Sequence, residues 1–268
     1  MTPIISCYNL IHRDLETALR EIARAGFPAV SLFSRPPYVP VSLEAMDESA
    51  WRSLRAQLDR YGLAVPVVYY TLDLASNTGR ETFARQVARA RELGAGVIDT
   101  GAIAPQGESD AAWGERLADF IEQLQWAGQE LTPLGMALCL ETHGGATGTP
   151  EQCLALMEAV HSPAVRIAYD PANLLFYEGI PADHRLAELS PYIGHIHLKD
   201  QRGGKDVNDF PVIGEGEIDF SSILGHFQAL EWAGPYTLER APAPDEAALP
   251  KVLAQSLARM RRWLGVKE

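Results

Sequence analysis

The chain has 268 residues, 47% of them hydrophobic, which is enough for one large core and matches the usual size of a barrel domain. Its net charge of −12, without any dense Lys/Arg stripe, argues against a nucleic-acid partner. We find no secretion signal at the N-terminus, no apolar run that could cross a bilayer, and only three widely spaced cysteines. These features predict a cytoplasmic protein with a single domain over residues 1–268.

Strand and helix patterns then alternate along the chain. The predicted strands cover residues 4–10, 29–34, 64–70, 96–102, 136–141, 165–170, 193–201 and 236–240. Helical patterns follow them, and the clearest helix start is Thr149-Pro150-Glu151-Gln152, a capping box with proline in the first turn. About eight such units predict a parallel sheet that closes into a (β/α)8 TIM barrel. A glycine-rich dinucleotide fingerprint after the first strand is absent.

The last four predicted strands carry polar residues on one face. Side chains two apart on a strand point the same way, so large apolar residues take one face and small residues the other. On the second face each strand runs to a polar residue at its C-terminal end, where barrel enzymes place their chemistry. We therefore expect four side chains to meet at the barrel mouth: Glu141, Asp170, His197 and Glu239.

Three carboxylates at one point repel one another unless a cation lies among them, so the set predicts a metal ion. Oxygen-rich ligation with one imidazole favours Mn²⁺ or Mg²⁺, with Co²⁺ or Zn²⁺ as alternatives. His143 and His195 are candidate outer partners of the ligands. For any one member taken alone, an ordinary buried salt bridge is the competing interpretation.

At these residues the sequence resembles a known family. The motifs are Leu-Glu-Thr-His-Gly-Gly (140–145), Tyr-Asp-Pro-Ala-Asn-Leu (169–174), His-Ile-His-Leu-Lys-Asp (195–200), Gly-Glu-Gly-Glu-Ile-Asp-Phe (214–220) and Leu-Glu-Arg (238–240). They are similar to those of the xylose-isomerase-like barrels, and more narrowly to the bacterial sugar phosphate isomerase/epimerase group. The resemblance implies that Glu141, Asp170, His197 and Glu239 are metal ligands. It also implies that the two glutamates serve as the acid and base of proton transfer.

The chain departs from two branches of that family. The ketose 3-epimerases carry a histidine where this chain has Asn173, and a second glutamate where it has Ala146-Thr147-Gly148. Their substrate clamp is therefore not reproduced. The endonuclease branch needs additional histidines, and seven histidines with a net charge of −12 match it poorly.

These observations predict a divalent-metal-dependent isomerase or epimerase of a sugar, ketose or sugar phosphate. The reaction would proceed by proton abstraction through an enediolate. The candidate substrate-binding residues are His143, Asn173, Lys199 and Arg202. One alternative is a metal-dependent dehydratase or lyase acting on a keto-sugar or inosose, and another is a non-catalytic sugar-binding barrel. Whether the chain forms a homo-oligomer is left open.

The polar, glycine-rich stretch 202–219 predicts a long loop over the barrel mouth. It is a candidate substrate lid, with an ordinary exposed loop as the alternative. Arg35 and Arg240 are candidates for contacting a phosphate or carboxylate group, although no glycine-rich phosphate cradle is visible.

Overall fold

The structure is a computed structural model that describes residues 2–8, 13–35 and 41–266. Eight parallel strands form a closed barrel in chain order, with β8 pairing with β1, so the predicted (β/α)8 fold is confirmed. The strands are β1 Ile4–Tyr8, β2 Val30–Ser34, β3 Val67–Tyr70, β4 Val97–Thr100, β5 Ala137–Glu141, β6 Val165–Tyr169, β7 Ile193–Leu198 and β8 Pro235–Leu238. The end of the first predicted strand, residues 9 and 10, lies outside the described residues.

Helices follow the strands around the outside of the barrel. They are α1 Leu15–Arg24, α2 Glu48–Tyr61, α3 Asn77–Glu92, α4 Asp110–Leu131, α5 Pro150–Val160, α6 Leu186–Leu189, α7 Phe220–Ala229 and α8 Leu249–Trp263. After β6, a helical turn at Pro171–Asn173 leads into a π-helix at Leu174–Glu178. No helix in the described ranges is long and apolar enough to cross a membrane.

Local chemistry sets the helix ends. The Asp14 side chain accepts a hydrogen bond from the Thr17 amide and begins α1, while Gly62 ends α2 in the left-handed conformation at φ 64°. The predicted capping box at α5 is present, because the Thr149 hydroxyl and the Gln152 side chain each satisfy the other residue's backbone amide.

The two faces of the strands form separate layers. Large apolar residues such as Leu138, Leu140 and Ile196 point outward into the main core beneath the helices. The interior contains a small apolar cluster of Val67, Val97, Cys139 and Ala168. Within the barrel there is also a polar contact in which Thr237 Oγ1 lies 2.8 Å from Ser6 Oγ and 3.0 Å from Ser31 Oγ. These three hydroxyl groups thus satisfy one another inside the barrel.

The predicted loop after β7 is held in place by two buried residues. The Asp200 carboxylate accepts hydrogen bonds from the amides of Gly214 (2.7 Å), Gly216 (2.9 Å) and Ile218 (3.2 Å). The side-chain amide of Gln201 donates hydrogen bonds to the backbone carbonyl oxygens of residues 202, 204 and 207 at 2.8–2.9 Å. These contacts favour a fixed rim over a freely opening lid.

Replacing Asp200 with alanine would leave three loop amides without their acceptor. We expect Asp200→Ala to lower the free energy of unfolding by about 2–4 kcal/mol. In the same loop, half-exposed Asp209 makes a 3.4 Å ion pair with Arg202, so Asp209→Ala is the matched control, with an expected loss below about 1 kcal/mol. Urea denaturation of both variants measures the difference, and equal losses would contradict the anchoring role of Asp200.

Candidate active site

The C-terminal ends of β5 to β8 bring the four predicted ligands together. Glu141 ends β5, His197 lies in β7, and Asp170 and Glu239 directly follow β6 and β8. One ligand atom from each of the four lies within 4.8 Å of the others. Thr142 aligns two of these ends, since its hydroxyl accepts a 2.8 Å hydrogen bond from the Asp170 amide. The predicted convergence at the barrel mouth is therefore present.

Spacing separates a candidate metal site from a hydrogen-bonded cluster. His197 Nδ1 lies 3.2 Å from Glu239 Oε2 and 3.4 Å from Glu141 Oε1. Ligand bonds of about 2.1 Å at right angles or slightly wider place two donor atoms about 3.0–3.4 Å apart. A second group, Asp99 with His195 and His197, has 2.7 and 2.9 Å contacts, which are hydrogen-bond lengths. The spacing of the first group suits a bound ion, whereas the second group is held together by hydrogen bonds.

Lys199 supplies a fixed positive charge beside the ligands. Its ammonium lies 2.5 Å from Asp170 Oδ2 and 3.0 Å from Glu239 Oε1, and it donates a 2.8 Å hydrogen bond to Asn173 Oδ1. With Glu141, the site has three carboxylates against one ammonium, which leaves two negative charges when His197 is neutral. The donor set and this remaining charge fit a divalent cation.

Burial and neighbouring charges shift the pKa values of the ligands. Burial disfavours the charged form of Glu239, but the Lys199 ammonium and the His197 ring together outweigh it and lower the pKa of Glu239 to about 2. Burial, reinforced by Glu239 and opposed by Lys199, raises the pKa of Asp170 to about 7. Burial would lower the pKa of His197, but the Asp99 carboxylate holds that pKa well above its usual value. A metal ion must therefore displace protons from this site.

Two of the predicted substrate-binding residues lie over Glu141. Asn173 Nδ2 donates a 3.0 Å hydrogen bond to Glu141 Oε1, and His143 Nδ1 lies 3.5 Å from Glu141 Oε2. The other ring nitrogen of His143 lies 2.8 Å from the Tyr177 hydroxyl. Sequence analysis missed Tyr177, which comes from the π-helix, and π-helices occur often at functional sites.

Arg202 lies apart from this cluster. Its guanidinium donates to the Glu215 carbonyl oxygen at 2.6 Å and pairs with Asp209 at 3.4 Å, so its contacts lie within its own loop. The Arg240 guanidinium packs over the Phe210 ring, and its Cζ atom lies 4.4 Å from the ring centroid. Arg35 lines a cavity of about 330 Å³ together with Tyr69 and residues that follow β3 and β4.

Asp99 is the second residue that sequence analysis missed. It lies inside β4, fully buried, where its Oδ2 contacts His195 Nδ1 at 2.9 Å and accepts a 2.9 Å hydrogen bond from the Tyr8 hydroxyl. The signal was present in the sequence, because the period-two rule places Asp99 on the same inward face as Val97. His195, the predicted outer partner, reaches the site through this carboxylate.

Comparison with known proteins agrees with the fold. The family model described as a xylose isomerase-like TIM barrel matches residues 19–263, and the chain belongs to this family. The rhizopine catabolism protein MocC of Rhizobium meliloti is 24% identical over 294 residues, covering 94% of this chain and 83% of the relative.

Solved structures with the same fold include proteins of different activities. A D-psicose 3-epimerase from Clostridium cellulolyticum H10, solved with D-tagatose, has a TM-score of 0.76 at 15% identity, covering 97% of this chain and 99% of that one. A xylose isomerase-like protein from Mycobacterium smegmatis in complex with magnesium has a TM-score of 0.72 at 20% identity, covering 93% and 87%. The probable 3-DHS dehydratase AsbF of Bacillus anthracis has a TM-score of 0.71 at 18% identity, covering 97% and 98%. The shared fold thus includes a sugar epimerase and a probable dehydratase.

The raised pKa values of Asp170 and His197 predict how metal affinity depends on pH. Both groups hold protons at low pH and must lose them to bind an ion, so affinity should rise with pH, by up to about tenfold per pH unit for each proton released. Titration calorimetry with Mn²⁺ near pH 6 and near pH 8, in buffers of different ionisation enthalpy, measures affinity and proton release together. Equal affinities with no proton release would contradict this assignment.

Proposed function

We propose that this protein is a divalent-metal-dependent isomerase or epimerase of a sugar, ketose or sugar phosphate, which acts by proton abstraction through an enediolate. The observation that carries the proposal is a pair of glutamates, Glu141 buried and Glu239 partly exposed, beside the same imidazole nitrogen. Glu141 and Glu239 lie 3.4 and 3.2 Å from His197 Nδ1, at the end of the barrel where enzymes of this fold act.

Glu141, Asp170, His197 and Glu239 would hold the ion, and Mn²⁺ or Mg²⁺ suits their oxygen-rich set. When bound, the ion would polarise a carbonyl and an adjacent hydroxyl of the substrate and so acidify the C–H bond between them. Two observations support this choice: the carboxylates carry two negative charges that Lys199 does not neutralise, and His197 Nδ1 lies 3.2 and 3.4 Å from oxygen atoms of Glu239 and Glu141.

The two glutamates differ in their surroundings, which suits two successive proton transfers. Glu239 is held ionised by Lys199, whereas Glu141 accepts from the neutral amide of Asn173. Burial opposes the charged form of Glu141, but the neighbouring rings of His143 and His197 hold its pKa well below the usual value. Both carboxylates are therefore ionised near neutral pH. In the proposed reaction one of them removes the proton from carbon and later releases it to solvent, while the other takes a proton from solvent and delivers it to the intermediate.

Several further side chains would contact the substrate. The Lys199 ammonium stands beside both Asp170 and Glu239, where it can stabilise negative charge that develops on the substrate. His143 and Asn173 can hydrogen-bond to sugar hydroxyls next to Glu141, and the Tyr177 hydroxyl extends this polar edge. Arg202 would reach a substrate only by releasing its contacts to Glu215 and Asp209.

The proposal is tested by solvent hydrogen exchange. The Mn²⁺-loaded protein is incubated in D₂O with a panel of ketoses, ketose phosphates, inososes and 3-keto sugars, and the products are followed by NMR and mass spectrometry. We expect deuterium to enter one substrate at the carbon next to its carbonyl group. The identity of the product separates isomerisation or epimerisation from elimination.

Variants connect that exchange to the site. We expect Glu141→Gln and Glu239→Gln each to slow exchange by about 10²–10⁴-fold, because each removes one proton-transfer group. Glu130→Gln, at an exposed position of α4, is the matched control and should exchange at the wild-type rate. Metal content is measured for every variant. Full exchange in either active-site variant, or none in the metal-loaded wild type on the whole panel, would contradict the proposal.

A further inference from the structure

We infer that Asp99 is a positioning residue for the proposed metal ligand His197. It holds the Nε2 edge of the imidazole inside the barrel, so that the Nδ1 edge faces the carboxylates at the mouth. The inference rests on the proposed metal site, which it extends from the ligands to the side chain beneath them.

The imidazole of His197 is held on both edges. Its Nε2 lies 2.7 Å from Asp99 Oδ2, while its Nδ1 lies 3.2 Å from Glu239 and 3.4 Å from Glu141. The Asp99 side chain is fully buried and the imidazole is 2% exposed, so the short contact is shielded from bulk solvent. A rotation of the ring that exchanged its nitrogens would break the contact to Asp99.

Asp99 is itself fixed from several strands. Its Oδ2 atom also accepts a hydrogen bond from the Tyr8 hydroxyl of β1 and contacts His195 Nδ1 of β7, each at 2.9 Å. His195 Nε2 continues to the Thr237 hydroxyl of β8 at 2.7 Å. The Tyr8 ring stands perpendicular to the His197 ring, with centroids 5.5 Å apart, and restricts its rotation further. The carboxylate thus has one position in the rigid barrel wall.

The chemistry of these partners determines which nitrogen carries hydrogen. An ionised carboxylate can only accept hydrogen bonds, so the nitrogen that faces Asp99 carries the proton. In a neutral imidazole the other nitrogen then has its lone pair free, and this is the nitrogen that faces Glu141 and Glu239. Asp99 therefore selects the Nδ1 atom of His197 as the ligand and makes it a stronger donor.

The competing explanation is that this network only stabilises the barrel core. Two Asp99 variants and one control separate the two roles. Asp99→Ala removes the acceptor, Asp99→Asn keeps an acceptor oxygen without the charge, and Thr237→Val breaks the same network at the His195–Thr237 contact, two residues beyond Asp99 along the chain of hydrogen bonds. Mn²⁺ dissociation constants are measured by calorimetry, and thermal unfolding is recorded for the metal-free forms.

We expect the dissociation constant of Asp99→Ala to rise about 10–100-fold, that of Asp99→Asn to lie between this value and wild type, and that of Thr237→Val to stay within about twofold. If the network only stabilises the barrel core, the loss of Mn²⁺ affinity in each variant should instead follow the decrease in its melting temperature. Unchanged affinity in a folded Asp99→Asn or Asp99→Ala protein would overturn the inference.

A measurement on the unaltered protein covers the case in which Asp99→Ala does not fold. Nitrogen-15 NMR of the Mg²⁺-loaded wild type should show His197 protonated at Nε2 and unprotonated at Nδ1. The reverse pattern would overturn the inference. If the wild type binds no divalent ion at all, the proposed function fails as well, whereas tight wild-type binding with unaffected Asp99 variants rejects the role of Asp99 alone.

Discussion

Mutual repulsion among three closely spaced carboxylates, two of them buried, is the constraint on which the active end of this barrel depends. Ligand atoms of Glu141, Asp170 and Glu239 lie within 4.8 Å of one another in a region with little water to screen them. The Lys199 ammonium neutralises one charge through its contacts to Asp170 and Glu239, and a divalent ion would neutralise the other two. On the far side of His197, Asp99 adds a further negative charge that hydrogen-bonded partners stabilise. The site is therefore built for cations before any substrate enters.

The barrel meets this constraint through backbone geometry. Parallel pairing brings the ends of β5 to β8 to the same edge, and the two-residue period turns one face of each strand inward. Asp170 also shows how one carboxylate serves two purposes. Its Oδ1 atom accepts hydrogen bonds from the backbone amides of Ala172 and Asn173 and so begins the helical turn after β6. Its Oδ2 atom faces Lys199. The same turn sets Asn173 against Glu141, so the start of a helix and the position of a catalytic candidate are connected.

Much of this arrangement could be predicted from the sequence, because it follows from strand periodicity. The eight strands, the Thr149 capping box and the convergence of Glu141, Asp170, His197 and Glu239 all depend on local patterns that the barrel then brings together. The two residues that were missed depend on more than a strand end. Asp99 lies one residue before the end of β4, on a face identifiable by its spacing from Val97, and a search confined to strand ends passes over it. Tyr177 is placed by a π-helix, whose register no sequence period reveals. The Asp200 contacts join residues 14–18 positions apart, which is beyond any local pattern.

One divalent ion is proposed to bind among Glu141, Asp170, His197 and Glu239, with Lys199 beside it. The decisive measurement is anomalous diffraction from crystals of the Mn²⁺-loaded protein. We expect a single strong manganese peak at the barrel mouth, within about 2.0–2.4 Å of one atom from each of the four residues and with His197 bound through Nδ1. The proposed site would be contradicted if millimolar Mn²⁺ gave no peak at the mouth, or if the ion lay in the Asp99, His195 and His197 group instead.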